Sequence, residues 1–317
     1  MSRILSICVP VFNEKDNVSH VVQEVERVFA DELSRYQLEI VFTDNASTDG
    51  TWEMIRELAK TKPHIRGYRF SRNFGYQNSI FAGLSMATGD AIIELDADLE
   101  DSPRVIPKFV KEWEAGYDVV YGVRSKRHEP WMMRSLFSLF YWLMNRISDI
   151  EIPRQAGDFR LIDRKVANML TSLGERNLYL RGLVSYLGFK QKAVPYERDP
   201  RAAGQSKFNL LRYVIMGVDA LTAFTKTPLR MIGLLGVVLF ILSMALAANF
   251  FFGKIFHGVP VQGFTTLVVL ILFLHSMTFI FLGVLGEYLS RVFDDAKNRP
   301  RAIIAESTHG GDFPRAL

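Results

Sequence analysis

The chain has 317 residues, a formal net charge of +4 and a pI near 9.1, room for one large domain or two ordinary ones. Its single cysteine, Cys8, excludes an intrachain disulfide framework and reads as a small core side chain. Mild basicity fits an anionic ligand or a membrane surface. Nucleic acid is disfavoured, because the basic residues gather near the apolar C-terminal segments rather than interleaving with aromatics.

In chain order, residues 4–11 form an apolar strand closed by Phe12-Asn13-Glu14, an apolar run too short for a signal peptide. The first domain is therefore expected to stay in the cytosol. Val18, Val21, Val22, Val25 and Val28 then recur at helical spacing. Residues 38–43 read as a second strand ending in Asp44-Asn45-Ala46-Ser47-Thr48-Asp49-Gly50, followed by a helix over 51–60. A third strand over 65–70 ends in Ser71-Arg72-Asn73, and a helix over 76–87 closes on Thr88-Gly89. A fourth strand, 91–95, runs into Asp96-Ala97-Asp98-Leu99-Glu100-Asp101. A helix over 105–114 and a fifth strand over 117–121 complete an alternation that predicts a parallel sheet with crossover helices. No Gly-x-Gly-x-x-Gly follows the first strand, which argues against a dinucleotide fold.

The first four strands all end in polar residues, and these would gather along one edge of the sheet, where open α/β sheets bind ligands. Asp96, Asp98 and Glu100 sit at spacing of two. They could share a hard divalent cation whose remaining positions are filled by a nucleotide's phosphates; the plain alternative is an acidic turn. His20, His64 and His128 have no ligand spacing and read as surface.

Beyond the fifth strand, residues 130–149 are aromatic and apolar, matching either core or a helix in the membrane interface. Gly157-Asp158-Phe159-Arg160-Leu161 opens a strand-like piece. Arg198, Arg201, Gly204, Ser206 and Lys207 make a flexible basic loop, and 208–228 reads as an amphipathic juxtamembrane helix. Residues 231–253 and 258–286 carry no charged residue, each enough for a membrane span of roughly 20 residues. Lys226, Arg230, Arg291, Lys297, Arg299 and Arg301 flank the pair, against Lys254 in the connection. The positive-inside rule puts both termini in the cytosol.

Val9-Pro10-Val11-Phe12-Asn13-Glu14, Asp44-x-x-Ser47-x-Asp49-Gly50, Asp96-Ala97-Asp98, Gly157-Asp158-Phe159-Arg160-Leu161 and Gly204-Gln205-Ser206-Lys207 occur in this order. Together they resemble family-2 GT-A glycosyltransferases of the dolichyl-phosphate-mannose-synthase type. The match is nearest to bacterial polyprenyl-phosphate glycosyltransferases with two C-terminal membrane spans. The resemblance covers nearly the whole chain.

It implies an α/β GT-A domain with a mostly parallel sheet over 1–207, the juxtamembrane helix over 208–228, a transmembrane hairpin within 229–290 (spans near 231–253 and 263–286) and a cytosolic tail over 291–317. It implies a nucleotide-sugar donor, UDP-linked by association with the bacterial branch, Mg2+ or Mn2+, and a polyprenyl phosphate acceptor at the cytosolic face of the inner membrane. The product would serve cell-envelope glycan modification. Pro10, Phe12, Glu14 and Asp44 would hold the nucleoside, and Asp98 and Glu100 most of the metal, with Asp96 close by. Arg124, Arg134, Arg160, Arg201 and Lys207 would meet phosphates. Asp158 would be catalytic, either as general base, where the resemblance points, or by orienting a cation that binds the acceptor. Asn45 and Glu100 depart from the usual acidic residue and Gln of relatives. Two rivals share the core. A processive polysaccharide synthase is disfavoured by the lack of Gln-x-x-Arg-Trp and the few spans, and a non-catalytic scaffold by the intact strand-end carboxylates. The sugar stays open, and so does a homo-oligomer.

Overall fold

A computed structural model describes residues 3–124, 156–175, 178–197, 227–257, 263–309 and 316–317. The chain divides into a sheet-bearing unit and a helical unit. In the first, eight strands form one sheet in the order β7-β5-β6-β4-β1-β2-β3-β8. The strands are β1 (Ile4–Val11), β2 (Gln37–Asp44), β3 (Ile65–Phe70), β4 (Ala91–Glu94), β5 (Val119–Arg124), β6 (Ala156–Asp163), β7 (Gln191–Tyr196) and β8 (Ile304–Ser307).

The central run β4-β1-β2-β3 is parallel throughout. β1 is apolar and buried because helices cover both its faces. Leu5, Ile7, Val9 and Val11 point into the core shared with α1 (Lys15–Glu32), whose Val18, Val21, Val22 and Val25 are fully buried or nearly so. Each such side chain contributes about 1.5–3 kcal/mol by leaving water. Cys8 points the other way, as alternate strand residues must, and lies under Gly83 of α3 (Tyr76–Met86), where an added Cβ would come within 3.2 Å of its sulfur. The thiol is sealed in, and burial pushes it well above its ordinary value, so the core reading of Cys8 holds. α2 (Thr51–Thr61) and α4 (Ile106–Glu114) complete the regular alternation.

Past β5 the alternation fails. β6 runs antiparallel to both β4 and β5, and β7 returns parallel to β5. The sheet is therefore mixed. β5 begins at Val119 rather than 117; just before it, the Asp118 carboxylate pairs with Lys165 Nζ at 2.5 Å and accepts from Lys190 N at 3.2 Å. α5 (Arg164–Ser172) and α6 (Leu180–Tyr186) follow β6.

The segment expected to be only a tail is part of the sheet. β8 pairs antiparallel with β3, and Arg301 clamps the approach to it. The Arg301 guanidinium donates to the carbonyls of Leu173 and Glu175 and stacks over Phe81 at 4.2 Å from the ring centroid. One of the cations expected at the lipid surface thus has an internal role. The helical unit holds α7 (Thr227–His257) and α8 (Phe264–Lys297). Among the described residues, one stretch, Phe273–Lys297, is long and apolar enough to cross a membrane, with mean hydropathy 1.3. The expected helix over 130–149 and all but the last two residues of the one over 208–228 lie outside the described residues.

Candidate active site

The ends of β1 and β2 are stitched together by side chains that the sequence places in their loops. Pro10 is buried opposite Thr43, and Val11 pairs with Asp44. The chain then turns out of the sheet at Phe12, 48% exposed, and at Asn13, which has a φ of 56°. Asn13 N donates to Ser47 Oγ at 2.9 Å, and Asn13 Oδ1 accepts from Thr48 N at 2.9 Å. Glu14 N donates to Thr51 Oγ1 at 3.0 Å and Lys15 N to Asp49 Oδ2 at 3.2 Å. The Glu14 side chain accepts from Asn17 at 2.6 Å. Much of the Asp-x-x-Ser-x-Asp-Gly motif is therefore architecture. Ser47 and Asp49 hold the neighbouring loop, and Gly50, at φ 96°, supplies the left-handed turn into α2 that other residues resist.

Asp44 is the residue this frame presents. It is fully buried. Its Oδ1 accepts from Ser47 N at 3.1 Å and Ser47 Oγ at 2.5 Å. Its Oδ2 makes no hydrogen bond among the described residues, with Arg69 Nε 3.6 Å away. Burial raises its pKa, against the lowering pull of the Ser47 bonds and Arg69. A buried acceptor with a spare oxygen suits a ligand N–H donor.

The second group follows β4. In the Asp96–Asp101 turn Leu99 takes a φ of 54°, a conformation a branched residue holds only when its surroundings impose it. Asp98 is exposed, and its Oδ1 accepts from Glu100 N at 3.1 Å. Glu100 and Asp101 are buried, and Asp101 accepts from the Tyr196 hydroxyl at 2.6 Å. Asp96 is half-buried and accepts from the Tyr76 hydroxyl at 2.6 Å. Burial pushes Asp96 up to about 6; the Tyr76 bond opposes this, while Asp98, Asp158 and Asp101 add to it. Burial and Asp96 likewise push the Tyr76 phenol up, so it remains a donor. Among the described residues no three His, Cys, Asp or Glu side chains form a metal cage by themselves. Hard oxygen donors crowded by like charge nonetheless fit a divalent cation whose coordination is completed by other oxygens.

The third group is a buried chain of alternating charge. Arg160 on β6 faces Glu94 on β4, with Nε 3.3 Å from Glu94 Oε2. Its Nη2 donates to Gly157 O at 3.0 Å and lies 3.3 Å from Asp158 Oδ1. Arg160 is 2% exposed, so its guanidinium faces inward; the expectation that it meets a phosphate gives way to an internal role. Burial pushes Glu94 up to about 8, with Arg160 pulling it down and Asp158 and Asp96 pushing it further. Asp158 is also gripped by Arg181 of α6, Nε to Oδ1 and Nη2 to Oδ2, both at 2.8 Å. Both carboxylate oxygens are thus engaged in a two-pronged ion pair.

Arg124 ends β5 opposite Tyr196. Arg134, Arg201 and Lys207 lie outside the described residues, as does His128. His20 is exposed; His64 is half-buried, 2.9 Å from Glu26. The sequence reading missed Arg69, Tyr76, Glu94 and Arg181. A lone cation inside an otherwise apolar helix, as in Leu180-Arg181-Gly182-Leu183, was the available signal for one of them.

A family model described as glycosyl transferase family 2 matches residues 6–170. The chain is 38% identical over 303 residues to an uncharacterized glycosyltransferase of Bacillus subtilis (strain 168), covering 95% of this chain and 93% of the relative. It is 39% identical over 307 residues to the SfII prophage-derived bactoprenol glucosyl transferase of Shigella flexneri, covering 96% and 99%. Among solved structures, a mannosyltransferase from Pyrobaculum calidifontis in complex with GDP-Man and Mn2+ is similar at 20% identity, covering 65% of this chain and 59% of that one with a TM-score of 0.45.

Proposed function

Because the chain belongs to glycosyl transferase family 2, we propose that this glycosyltransferase moves a sugar from a nucleoside diphosphate, UDP first among candidates, onto the phosphate of a polyprenyl phosphate. What supports the reading is the Asp96–Asp98 turn in the field of Asp158, itself paired with Arg181, with Asp44 ending a parallel strand at the same edge of the sheet, in a chain similar over nearly its full length to bactoprenol glucosyl transferases.

Pro10, Phe12, Glu14 and Asp44 bind the nucleoside, with Asp44 Oδ2 accepting a base N–H. Asp98, with Asp96 beside it and Glu100 in the same turn, holds Mg2+ or Mn2+. When bound, the cation offsets negative charge developing on the departing diphosphate. The acceptor phosphate attacks the anomeric carbon from the opposite face and inverts it. A phosphate monoester has a second pKa near 6 and is largely dianionic at neutral pH, so the nucleophile needs no proton removed. Asp158 then has a different task. With both oxygens engaged by Arg181, it fixes that guanidinium for the acceptor phosphate, a geometry arginine makes bidentate. This departs from the base role implied by the family resemblance, and the Arg181 ion pair is what supports the departure. Arg124, Arg134, Arg201 and Lys207 screen the remaining phosphate charge.

The acceptor's chain requires a membrane, and we read α7 and α8 as the two spans, with both termini cytosolic. Support comes from β8. It lies in the same sheet as β1, so residues 304–307 occupy the same side of the membrane as the first strands. The number of crossings between 197 and 304 is then even. One crossing by α8 needs a second, and the uncharged run within α7 is the available partner.

The test is the full chain in detergent with undecaprenyl phosphate and a panel of UDP- and GDP-sugars, with and without Mg2+ or Mn2+. The expected product is a polyprenyl-phosphate-sugar formed only with metal. Donor turnover with every sugar but no lipid-linked product would exclude the acceptor assignment. A reporter fused after Leu317 that is active only outside the cytosol would overturn the topology.

A further inference from the structure

Arg69 stands at the end of β3, directly across from Asp44 in the ladder. Its guanidinium has three neighbours. Nε lies 3.6 Å from Asp44 Oδ2, Nη2 donates to Ser47 O at 3.2 Å, and Nη1 donates to Glu306 Oε1 at 3.2 Å. The first two belong to β2 and the loop that follows it. The third belongs to β8, which enters the sheet after both long helices. Glu306 is itself pinned, because its Oε2 accepts from Trp52 Nε1 at 3.0 Å, and Trp52 is buried in α2. β8 is seated by a site made for it. At Gly67 of β3 an added Cβ would lie 2.6 Å from Ile55 Cγ2, 3.0 Å from Thr308 Cγ2 and 3.1 Å from Trp52 Cζ3. The missing side chain lets Gly67 N donate to Thr308 Oγ1 at 2.9 Å and Gly67 O accept from Thr308 N at 3.0 Å.

We propose that Glu306 is a positioning residue for the donor site, holding Arg69 in a stance that leaves Asp44 Oδ2 open to the nucleoside. The physics is a competition between two carboxylates for one guanidinium. Asp44 is buried and Glu306 is 46% exposed. Without Glu306, the Arg69 fork is free to close onto Asp44 Oδ2 as a full ion pair, occupying the acceptor that the ligand needs, or to swing into solvent and leave Asp44 without a counter-charge. Both movements weaken nucleotide binding, and neither touches the Asp96 turn or the Asp158–Arg181 pair. The inference rests on the proposed nucleoside role of Asp44 and adds that the strand after the membrane helices sets donor affinity.

The test uses the full chain in detergent and measures UDP and GDP binding by calorimetry, together with donor KM, acceptor KM and kcat. Glu306→Ala and the size-conserving Glu306→Gln should each raise the dissociation constant of the bound nucleotide and donor KM roughly three- to ten-fold, the scale of a partly exposed charged contact. kcat at saturating donor and acceptor KM should hold, and Glu306→Asp should recover part of the loss. In an Arg69→Ala background, Glu306→Ala should add nothing. Unchanged nucleotide affinity in Glu306→Gln with the thermal midpoint retained would overturn the proposal, as would an effect of equal size with and without Arg69. A wild-type chain that binds neither UDP nor GDP would overturn the nucleoside reading and this inference with it; binding that ignores Glu306 overturns the inference alone.

Discussion

The loop after β2 and the turn after β4 both set a carboxylate at the C-terminal end of a parallel strand, and burial raises the pKa of both. Their surroundings are opposite in charge. Asp44 is enclosed, tied to Ser47 and balanced by Arg69, and keeps a single oriented oxygen without a hydrogen bond among the described residues. Asp96 is half-open, takes a neutral donor from Tyr76, and sits in the field of Asp98, Asp101 and Asp158. The first arrangement suits a neutral N–H and the second a cation. An acidic strand end is therefore defined less by its own residue than by the charge of its neighbours.

If this contrast is right, the largest effect belongs to the β4 turn. Asp98→Asn should lower kcat/KM roughly a thousand-fold, since a cation there supplies several kcal/mol to the transition state, and Asp96→Asn nearly as much. Normal turnover of a folded Asp98→Asn enzyme would end the cation reading.

The Asp158–Arg181 pair comes next. Asp158→Asn and Arg181→Lys should each cost about a hundred-fold, a lysine being unable to reproduce the two-pronged contact. The loss should show partly in acceptor KM and stay constant from pH 6 to 9. Recovery of Asp158→Asn at high pH would restore Asp158 as a general base.

Asp44→Asn should raise donor KM only about ten-fold, the scale of one hydrogen bond to a charged group, and leave kcat and acceptor KM alone. A fall in kcat as large as that of Asp98→Asn would erase the distinction between the two strand ends.

The smallest effect is on stability and has the opposite sign to the activity loss. Asp96 titrates near 6 when folded and near 3.8 as a free side chain. Between those values the folded chain keeps a proton that the unfolded chain has released, so stability falls as pH rises across this window, and the cost is complete above it. Without divalent cation at pH 7.5, Asp96→Asn should melt roughly 2–4 °C higher than wild type, a figure reduced for partial exposure. The gap should close below about pH 4 and shrink when Mn2+ is added. A variant that melts lower at pH 7.5 would show that the carboxylate is balanced within the fold.

The parallel half of the sheet was legible because β1, β4 and most of β2 are apolar runs closed by polar residues, and because β/α alternation fixes direction as well as existence. The placement of Asp44, Asp96 and Asp98 at or just past strand ends was legible for the same reason. β6 was not, since an alternating run such as Phe159-Arg160-Leu161 says nothing about which way it lies or what crosses from the neighbouring strand. Glu94 is what turns Arg160 inward, and 66 positions separate the two in the chain. Arg181 and Tyr76 come from helices, and only tertiary packing aims them at Asp158 and Asp96. β8 escaped notice because four residues, Ile304-Ala305-Glu306-Ser307, are too few to carry a period.

The return of β8 to the β3 edge also has a bearing on biogenesis. Domains generally begin to fold from their N-terminal side as the chain emerges from the ribosome, at about 5–20 residues per second. β1 to β7 are all made before α7 and α8, and β8 after them. Until the two long helices and β8 have been made, the β3 edge is an open row of backbone donors and acceptors, a surface prone to mispairing. Arg69 meanwhile lacks Glu306. On the proposed topology and the proposed nucleoside role of Asp44, a chain stalled before α7 and α8 are inserted would hold Asp44 and Arg69 without Glu306, and completion of the donor site would follow arrival in the bilayer.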